Sequence, residues 1–291
     1  CQVYAIVRGT HCVLVDAGSG HVLDHLDEIG VTSIDWVLHT HHHRDQCWGT
    51  NQLRAAGAQV AVPEHERHLF DNAELFWQHK RLYDNYNDRS TFNTVGQNIA
   101  VDRDLTDYEI FTWEDLDFMV LPAKGHTHGS SMLVTSIDGL RLAFTGDLLA
   151  HGGTLHEYHG LEYNYGDRQG ALFTLQSCQA LRRETPDLAL PSHGEVITDP
   201  SADCTRLESR LMDLAHLGAG ISMMGNNSIT PHGLHILPEP RFIQVSRHLL
   251  WGGPHTCSNF YVLLSESGAA CFIDYGHSFS AHMATGGERE D

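Results

Sequence analysis

The first part of the chain alternates short apolar runs with turns, and this pattern predicts two strands, a helix and a third strand. Residues 3–7 and 12–15 alternate around a turn that contains glycine, as is typical of a β-hairpin. Residues 19–29 carry apolar side chains at helical spacing, whereas 34–38 is an apolar run that indicates a buried strand. The chain therefore begins in the manner of an α/β protein.

Beyond this opening the pattern changes. Residues 64–98 keep helical spacing but are rich in aromatic side chains, so they predict a helical insertion, with a lid or a pocket wall as the functional alternative. Strand-like runs return between residues 108 and 144. Helices are then predicted at 170–184 and 202–217, with a strand at 188–190 between them.

Composition narrows the class of protein. A chain of 291 residues with 41% hydrophobic residues can bury a substantial core, and no apolar run approaches the roughly 20 residues that a membrane span needs. The formal charge of −19 disfavours nucleic acid and anionic membranes as partners, and we expect a small-molecule substrate. Seven cysteines without a C-x-x-C pair favour a reducing, cytoplasmic location. A removed leader is left open, because the chain starts at Cys1.

Candidate chemistry begins directly after the predicted strand 34–38. His41, His43 and Asp45 are spaced two apart, so three side chains of metal-ligand type can converge on one side of an extended or tightly looped backbone. Taken alone, the spacing also fits a pair of surface histidines. Three further turns, each after a strand-like run, carry ligand-type residues: His126, Asp147 and His193. Four such turns predict one site at one edge of a sheet.

Together these motifs resemble those of the metallo-β-lactamase superfamily, over residues 1–218. The family pattern of Thr-His-x-His-x-Asp-His, Gly-His-Thr, Gly-Asp and a late histidine is matched by His41, His43, Asp45, His126, Asp147 and His193. Residues 14–18 resemble the early strand of the family, which ends in an aspartate. The resemblance implies that Asp16 holds the metal loops from outside the ligand set.

The fold implied by this resemblance is a four-layer αββα sandwich, and the implied activity is that of a metal-dependent hydrolase. His41, His43 and His126 would bind one zinc ion and leave a fourth position for water. A hydroxide bound to the metal would then cleave a small ester, thioester, lactone, β-lactam or phosphoester. Asp45 is predicted to orient this hydroxide and to pass its proton to the leaving group.

The second ion is predicted to depend on different side chains. Asp147 would bridge to it, and Asp45, His193 and Gln46 would hold it. Gln46 departs from the family, which usually has histidine there. An amide oxygen is a harder and weaker donor than imidazole, so we expect the second ion to bind less tightly or to be manganese or iron. The alternative is that Gln46 only hydrogen-bonds a metal-bound water.

Two other functions are alternatives to the hydrolase. One is an oxidoreductase with a single iron at His41, His43 and Asp147, as in some members of the superfamily, which metal analysis and oxygen consumption would distinguish. The other is a non-catalytic metal-binding protein with a vestigial site. For the hydrolase, we expect substrate contacts from the loop after Asp147: His151, Tyr158 and Tyr163. Histidines near the motifs, such as His39 and His42, are expected to lie outside the ligand set.

The end of the chain repeats part of its beginning. Residues 261–264 followed by 272–276 echo the opening hairpin. The resulting division is a catalytic domain at 1–218, a connecting segment at 219–250 and, at 251–291, the truncated start of a second similar unit with no metal site of its own. We expect the tail either to add strands to the first unit or to pair with a partner chain as a homo-oligomer.

Overall fold

A computed structural model of the chain describes residues 1–80, 93–157, 169–222, 235–236, 243–252 and 260–274. Contacts divide the chain into two compact units, Cys1–Asp213 and Leu214–Asp291. The boundary between them lies within one long helix, Pro200–Ser222. Within the described residues, no helix is both long and apolar enough to cross a bilayer.

The described residues of the first unit form two five-stranded sheets. The first sheet has its strands in chain order: β1 (Tyr4–Arg8), β2 (His11–Val15), β3 (Ser33–Leu38), β4 (Gln59–Pro63) and β5 (Arg103–Leu105). β1 and β2 form the predicted antiparallel hairpin, whereas β2 to β5 run parallel to one another. The carboxyl ends of these parallel strands therefore meet at one edge of the sheet.

The second sheet is mostly antiparallel. Its order is β10 (Leu188–Pro191), β9 (Leu140–Gly146), β8 (Ser131–Ile137), β7 (Leu116–Pro122) and β6 (Ile110–Trp113). β7 and β9 are both antiparallel to β8, and β10 is parallel to β9. The strands β7, β9 and β10 thus run in one direction and end at the same edge.

The main core lies between the two sheets. In β2, Val13 and Val15 point into this core, while the alternate residues Cys12 and Leu14 belong to a second apolar cluster on the other face. A strand buried on both faces carries apolar residues without alternation, which is why 12–15 reads as a continuous apolar run. The inner core also takes residues from the second sheet: Phe111, Trp113, Leu116, Phe118, Val120, Leu133 and Phe144.

Helices cover the outer faces, as the four-layer prediction requires. They are α1 (Arg44–Cys47), α2 (Thr50–Ala55), α3 (Arg67–Asp71), α4 (Ala73–His79), α5 (Gln169–Arg183) and α6 (Pro200–Ser222). Leu53 of α2 packs in the outer cluster of the first sheet, and Phe70 of α3 packs in a third cluster with β4. On the second sheet, Arg141 of β9 donates to the Glu184 carbonyl at the end of α5, at 2.7 Å.

Two predicted helical segments differ from the structure. Residues 19–29 form two short 3-10 helices, His21–His25 and Asp27–Ile29, instead of one α-helix. Gly20 and Gly30 both have positive φ and confine the segment between them, which favours short 3-10 turns. In the aromatic segment 64–98, the described residues form the α-helices Arg67–Asp71 and Ala73–His79, whereas the described residues 93–98 are not α-helical. Residues 81–92 of this prediction lie outside the described residues.

In the part of the second unit that the structure describes, five strands form an antiparallel meander. Its strands are β11 (His235–Ile236), β12 (Ile243–Ser246), β13 (Leu249–Gly252), β14 (Phe260–Leu264) and β15 (Ala270–Ile273). Among the described residues these strands pair with one another in one sheet, and the addition of strands to the first unit stays a prediction. Strands that follow one another closely in the chain pair locally at low entropic cost. Pairing with a partner chain stays a prediction.

Replacing Phe118 by alanine should destabilise the first unit by about 3–5 kcal/mol, because the ring is fully buried between the two sheets and its loss leaves a cavity. Urea unfolding followed by circular dichroism measures this loss. Leu140→Ala, in the same sheet but 44% exposed, is the matched control and should change the stability by less than about 1 kcal/mol. Equal effects of the two substitutions would contradict a core between the sheets.

Candidate metal centre

The predicted site residues lie on loops that meet at the common edge of the two sheets. Ser131, at the start of β8, donates its backbone N–H to the Thr40 carbonyl at 2.9 Å, which joins the loop after β3 to the second sheet. Ser192, after β10, donates to the Gly146 carbonyl at 2.9 Å, and Gln2 donates to the Ser192 carbonyl at 2.7 Å. These bonds tie together loops that are far apart in the chain.

Four of the predicted residues form a compact buried cluster at this edge: His41, His43, His126 and Asp147. One ligand atom from each lies within 4.8 Å of the others. His126 Nε2 is 2.8 Å from His43 Nδ1 and 3.1 Å from Asp147 Oδ2, and His41 Nε2 is 3.8 Å from the same oxygen. Imidazole nitrogens and a carboxylate are the donors that zinc and similar divalent ions bind.

The hydrogen bonding of this cluster fits a cation. His41 Nδ1 lies 3.0 Å from Thr40 Oγ1, which leaves Nε2 to face the cluster. His41 Nε2 and Asp147 Oδ1 are both buried and have no hydrogen-bond partner among the described residues. Unpaired buried polar atoms are rare in folded proteins, and a bound cation is one of the few partners that would satisfy both atoms.

The electrostatics of the cluster also favour metal binding. Burial, together with the neighbouring histidines His43, His126, His42 and His193, holds the pKa of His41 well below its ordinary value. A low pKa keeps the imidazole neutral. Since only neutral imidazole binds a metal ion, no proton has to be displaced from His41 near neutral pH.

Asp45, Gln46 and His193 form a second group beside the first. His193 Nε2 lies 2.8 Å from Asp45 Oδ2 and 3.7 Å from Asp147 Oδ1. Gln46 donates its amide to Asp45 Oδ2 at 3.0 Å, whereas its Oε1 is buried with no hydrogen-bond partner among the described residues. Asp147 therefore lies between the two groups and turns one oxygen towards each.

The second group is more open and more polar than the first. The Asp45 side chain is 48% exposed, whereas that of Asp147 is 4% exposed. Burial would raise the pKa of Asp45, but the hydrogen bond and charge of His193 lower it below its usual range. Burial would lower the pKa of His193, but the contacts with Asp45 and Asp147 raise this pKa above its ordinary value. Each of the two side chains therefore favours the charged form of the other.

Asp16 supports the metal loops from behind. Its neighbour Val15 pairs with Leu38 in the parallel ladder, so Asp16 lies beside the start of the loop after β3. The buried carboxylate accepts from the Thr40 backbone N–H at 2.9 Å, from Thr40 Oγ1 at 2.9 Å and from Ser192 Oγ at 3.2 Å. One side chain thereby links the loops after β3 and β10.

Gly146 allows Asp147 to enter the site. It ends β9 with φ +57, and a Cβ there would lie 3.0 Å from both Thr40 Cβ and Thr40 Oγ1. A larger residue would combine backbone strain with crowding against the loop that carries His41. The Gly-Asp motif is therefore explained by a close approach of two loops.

The remaining predicted residues are less closely tied to the site. His39 and His42 are buried outside the four-residue cluster, with His39 Nε2 3.0 Å from Thr50 Oγ1. His151 is exposed in the loop after Asp147, and Tyr158 and Tyr163 lie outside the described residues. His156, in the same loop as His151, stacks its ring on that of His193 with centroids 3.7 Å apart.

Comparison with known proteins identifies the family. Residues 1–193 of the 291 match the family model of the metallo-beta-lactamase superfamily. The chain belongs to this superfamily. Hydroxyacylglutathione hydrolase of Aeromonas salmonicida (strain A449) is 29% identical over 160 residues, which are 54% of this chain and 50% of that protein. The chain therefore matches only about half the length of this curated relative.

Solved structures share the fold at low sequence identity. A metallo-beta-lactamase from Novosphingobium pentaromativorans has a TM-score of 0.59 and 17% identity, over 75% of this chain and 85% of that chain. A metallo-beta-lactamase family protein from Thermus thermophilus has a TM-score of 0.58 and 19% identity, over 77% and 78%. A Cronobacter sakazakii metallo-beta-lactamase described by a HARLDQ motif has a TM-score of 0.55 and 14% identity, over 74% and 87%.

These comparisons confirm the predicted superfamily and the predicted α/β fold class. They also agree with the presence of a metal-binding cluster of histidine and aspartate, and so with a divalent ion as cofactor. Zinc as the particular metal, a count of two ions and the role of each ligand stay predictions.

Replacing Asp16 by asparagine should weaken metal binding by about 10–100-fold, as is usual when a residue that orients ligands is changed. Asparagine keeps the size and tolerates the positive φ of this position, but its NH2 group cannot accept from Thr40 or Ser192. Chelator competition on stripped protein measures the affinity. Asp138→Asn, at an exposed position that also has positive φ, is the matched control and should leave affinity unchanged.

Proposed function

We propose that this protein is a hydrolase that uses divalent metal ions to cleave a small ester, thioester, lactone, β-lactam or phosphoester. The observation that carries the proposal is the buried cluster of His41, His43, His126 and Asp147, in which two ligand atoms have no hydrogen-bond partner among the described residues. The family supports the hydrolytic class. Zinc is the leading metal, because three imidazoles and a carboxylate suit it.

Thioesters come first among the substrate classes. The relative from Aeromonas salmonicida is a hydroxyacylglutathione hydrolase, whose name describes release of an acyl group from glutathione. The similar solved structures are metallo-beta-lactamases, which keeps β-lactams among the candidates. An acyl carbonyl is common to thioesters, esters, lactones and β-lactams, so one arrangement of ligands and donors can serve all four.

When bound, divalent ions supply an activated water for hydrolysis and polarise the bond that is attacked. The side chains of the chain have distinct tasks around this chemistry. His41, His43 and His126 would hold the first ion through Nε2, Nδ1 and Nε2, the atoms that face the cluster. Asp147 would hold an ion on each side, because each of its oxygens faces one group of ligands.

Asp45 is the residue proposed to move protons. Its carboxylate is ionised near neutral pH, since its pKa is lowered, and nearly half of its surface is open to solvent. An accessible carboxylate beside the ligand cluster can orient the attacking water, accept its proton and deliver that proton to the leaving group. The hydrogen bond from His193 Nε2 fixes the orientation of this carboxylate.

Gln46 is proposed as a weak ligand of the second ion. A half-turn of its amide would exchange the two end atoms and bring Oε1, now without a hydrogen-bond partner among the described residues, towards Asp45 and His193. Residues 41–46 read His-His-His-Arg-Asp-Gln and end in the same Asp-Gln as the HARLDQ motif named for the Cronobacter sakazakii enzyme. The second site would therefore bind its ion less tightly than the first site does, or it would prefer a harder ion.

The variant Asp147→Ala should lower kcat/KM by on the order of a hundredfold or more, because changes outside the ligand set already cost about 10–100-fold. The assay uses chromogenic thioester, ester, lactone, β-lactam and phosphoester substrates, with zinc or manganese added to stripped protein. Asp115→Ala, an exposed surface substitution, is the control. Turnover that survives in Asp147→Ala, or in protein freed of metal, would contradict the mechanism.

The variant Gln46→His should raise the affinity for a second zinc ion by about tenfold or more, on the scale at which changes around metal ligands act. Imidazole is a better zinc donor than an amide oxygen, and position 46 is already within reach of Asp45 and His193. Zinc titration of stripped wild type and variant gives both constants. Gln52→His, at an exposed position of α2, is the control, and identical second-site affinities in wild type and Gln46→His would exclude a ligand role.

A further inference from the structure

Glu66 is a buried carboxylate that belongs to neither group of candidate ligands. It ends the short 3-10 helix Glu64–Glu66, which follows β4, and it is only 2% exposed. One of its oxygens, Oε2, accepts from the backbone N–H of His42 at 2.8 Å and from His42 Nδ1, also at 2.8 Å. His42 is the residue between His41 and His43, so Oε2 holds the loop that carries both.

The other oxygen of Glu66 holds a different loop. Oε1 accepts from the backbone N–H of Gly129 at 3.0 Å and from Thr127 Oγ1 in a short hydrogen bond. Thr127 follows His126 directly in the chain. The two oxygens of one carboxylate therefore bind the two loops that supply all three histidines of the buried cluster.

We propose that Glu66 is a positioning residue for the metal centre, which sets the distance between the His41/His43 loop and the His126 loop. The inference deepens the proposed function, because it rests on a metal ion being bound by these histidines. Movement of either loop would alter the 2.8 Å separation between His43 Nδ1 and His126 Nε2. Ligand geometry is sensitive to such shifts, since a metal ion tolerates only small changes in its bond lengths.

A carboxylate suits this position for a specific reason. Four donors converge on Glu66, two on each oxygen, and an ionised carboxylate is an acceptor at both oxygens. Burial alone would raise the pKa of Glu66, but the charge of His42 and the hydrogen bonds from His42, Thr127 and Gly129 lower it below its usual value. An amide could satisfy only one loop, because its NH2 group would face the donors of the other.

The packing around Gly129 shows how closely this arrangement is fitted. A Cβ at position 129 would lie 2.5 Å from Glu66 Cγ and 2.8 Å from His65 Cβ. The backbone of the His126 loop therefore rests directly on the Glu66 side chain. Both the glycine and the carboxylate are needed for the loop to approach this closely.

Measuring metal affinity distinguishes a positioning role of Glu66 from a general contribution of Glu66 to stability. Glu66→Gln keeps the length of the side chain but loses one acceptor, and Glu66→Asp keeps the charge but is too short to reach both loops. Both variants of the full chain should bind zinc about 10–100-fold more weakly than wild type in chelator competition. The absorption spectrum of bound cobalt, which reports ligand geometry, should also change in both variants.

Two controls match these variants. Phe118→Leu destabilises the core without touching the loops, and Glu184→Gln changes a partly buried carboxylate that accepts from Arg141 instead. Both should bind zinc as the wild type does. If neither Glu66 variant folds, Thr127→Val provides the test. This variant removes a single donor to Oε1, so it should weaken zinc binding and alter the cobalt spectrum.

Each outcome decides a different question. Wild-type affinity in Glu66→Gln or in Thr127→Val would overturn the positioning role. An equal loss in Phe118→Leu would overturn it as well, because the effect would then follow from stability. Wild-type affinity in Glu66→Asp would overturn the claim that one side chain must reach both loops. Failure of the wild-type protein to bind zinc or cobalt would instead refute the proposed function.

Discussion

Burying ligand atoms without hydrogen-bond partners costs free energy, roughly 1–3 kcal/mol for each neutral group and more for a charged one. His41 Nε2 and Asp147 Oδ1 are in this position among the described residues, and the fold keeps both buried. A divalent ion removes the cost by accepting their lone pairs. The rest of the site is best understood as the framework that holds these atoms in place until an ion binds.

Buried carboxylates provide much of this framework. Asp16 joins the loops after β3 and β10 through Thr40 and Ser192, and Glu66 joins the loops after β3 and β7 through His42 and Gly129. Each carboxylate accepts hydrogen bonds from two loops that have no covalent connection nearby. Such bonds to an ionised acceptor are stronger than neutral ones, so they hold ligands at fixed separations even where the loops lack regular structure.

Much of the fold could be predicted from the sequence, because strands buried on both faces, such as residues 12–15 and 34–38, leave continuous apolar runs. The residues that the structure brings together at the sheet edge could also be predicted, since each follows such a run. Glu66 could not, because a buried glutamate and an exposed one look alike in a sequence and its partners are 24 to 63 residues away. The contact of His156 with His193 could not be predicted either, because it arises only from folding.

Burial differs between the two groups of candidate ligands, so one side of the site is more accessible to solvent than the other. The histidines of the first group are almost fully buried, whereas Asp45 is 48% exposed and His193 18%. Among the described residues, the second group therefore lies on the more solvent-accessible side of Asp147. The residue proposed to move protons is thus open to solvent, while the side chains proposed to hold the first ion are shielded from it.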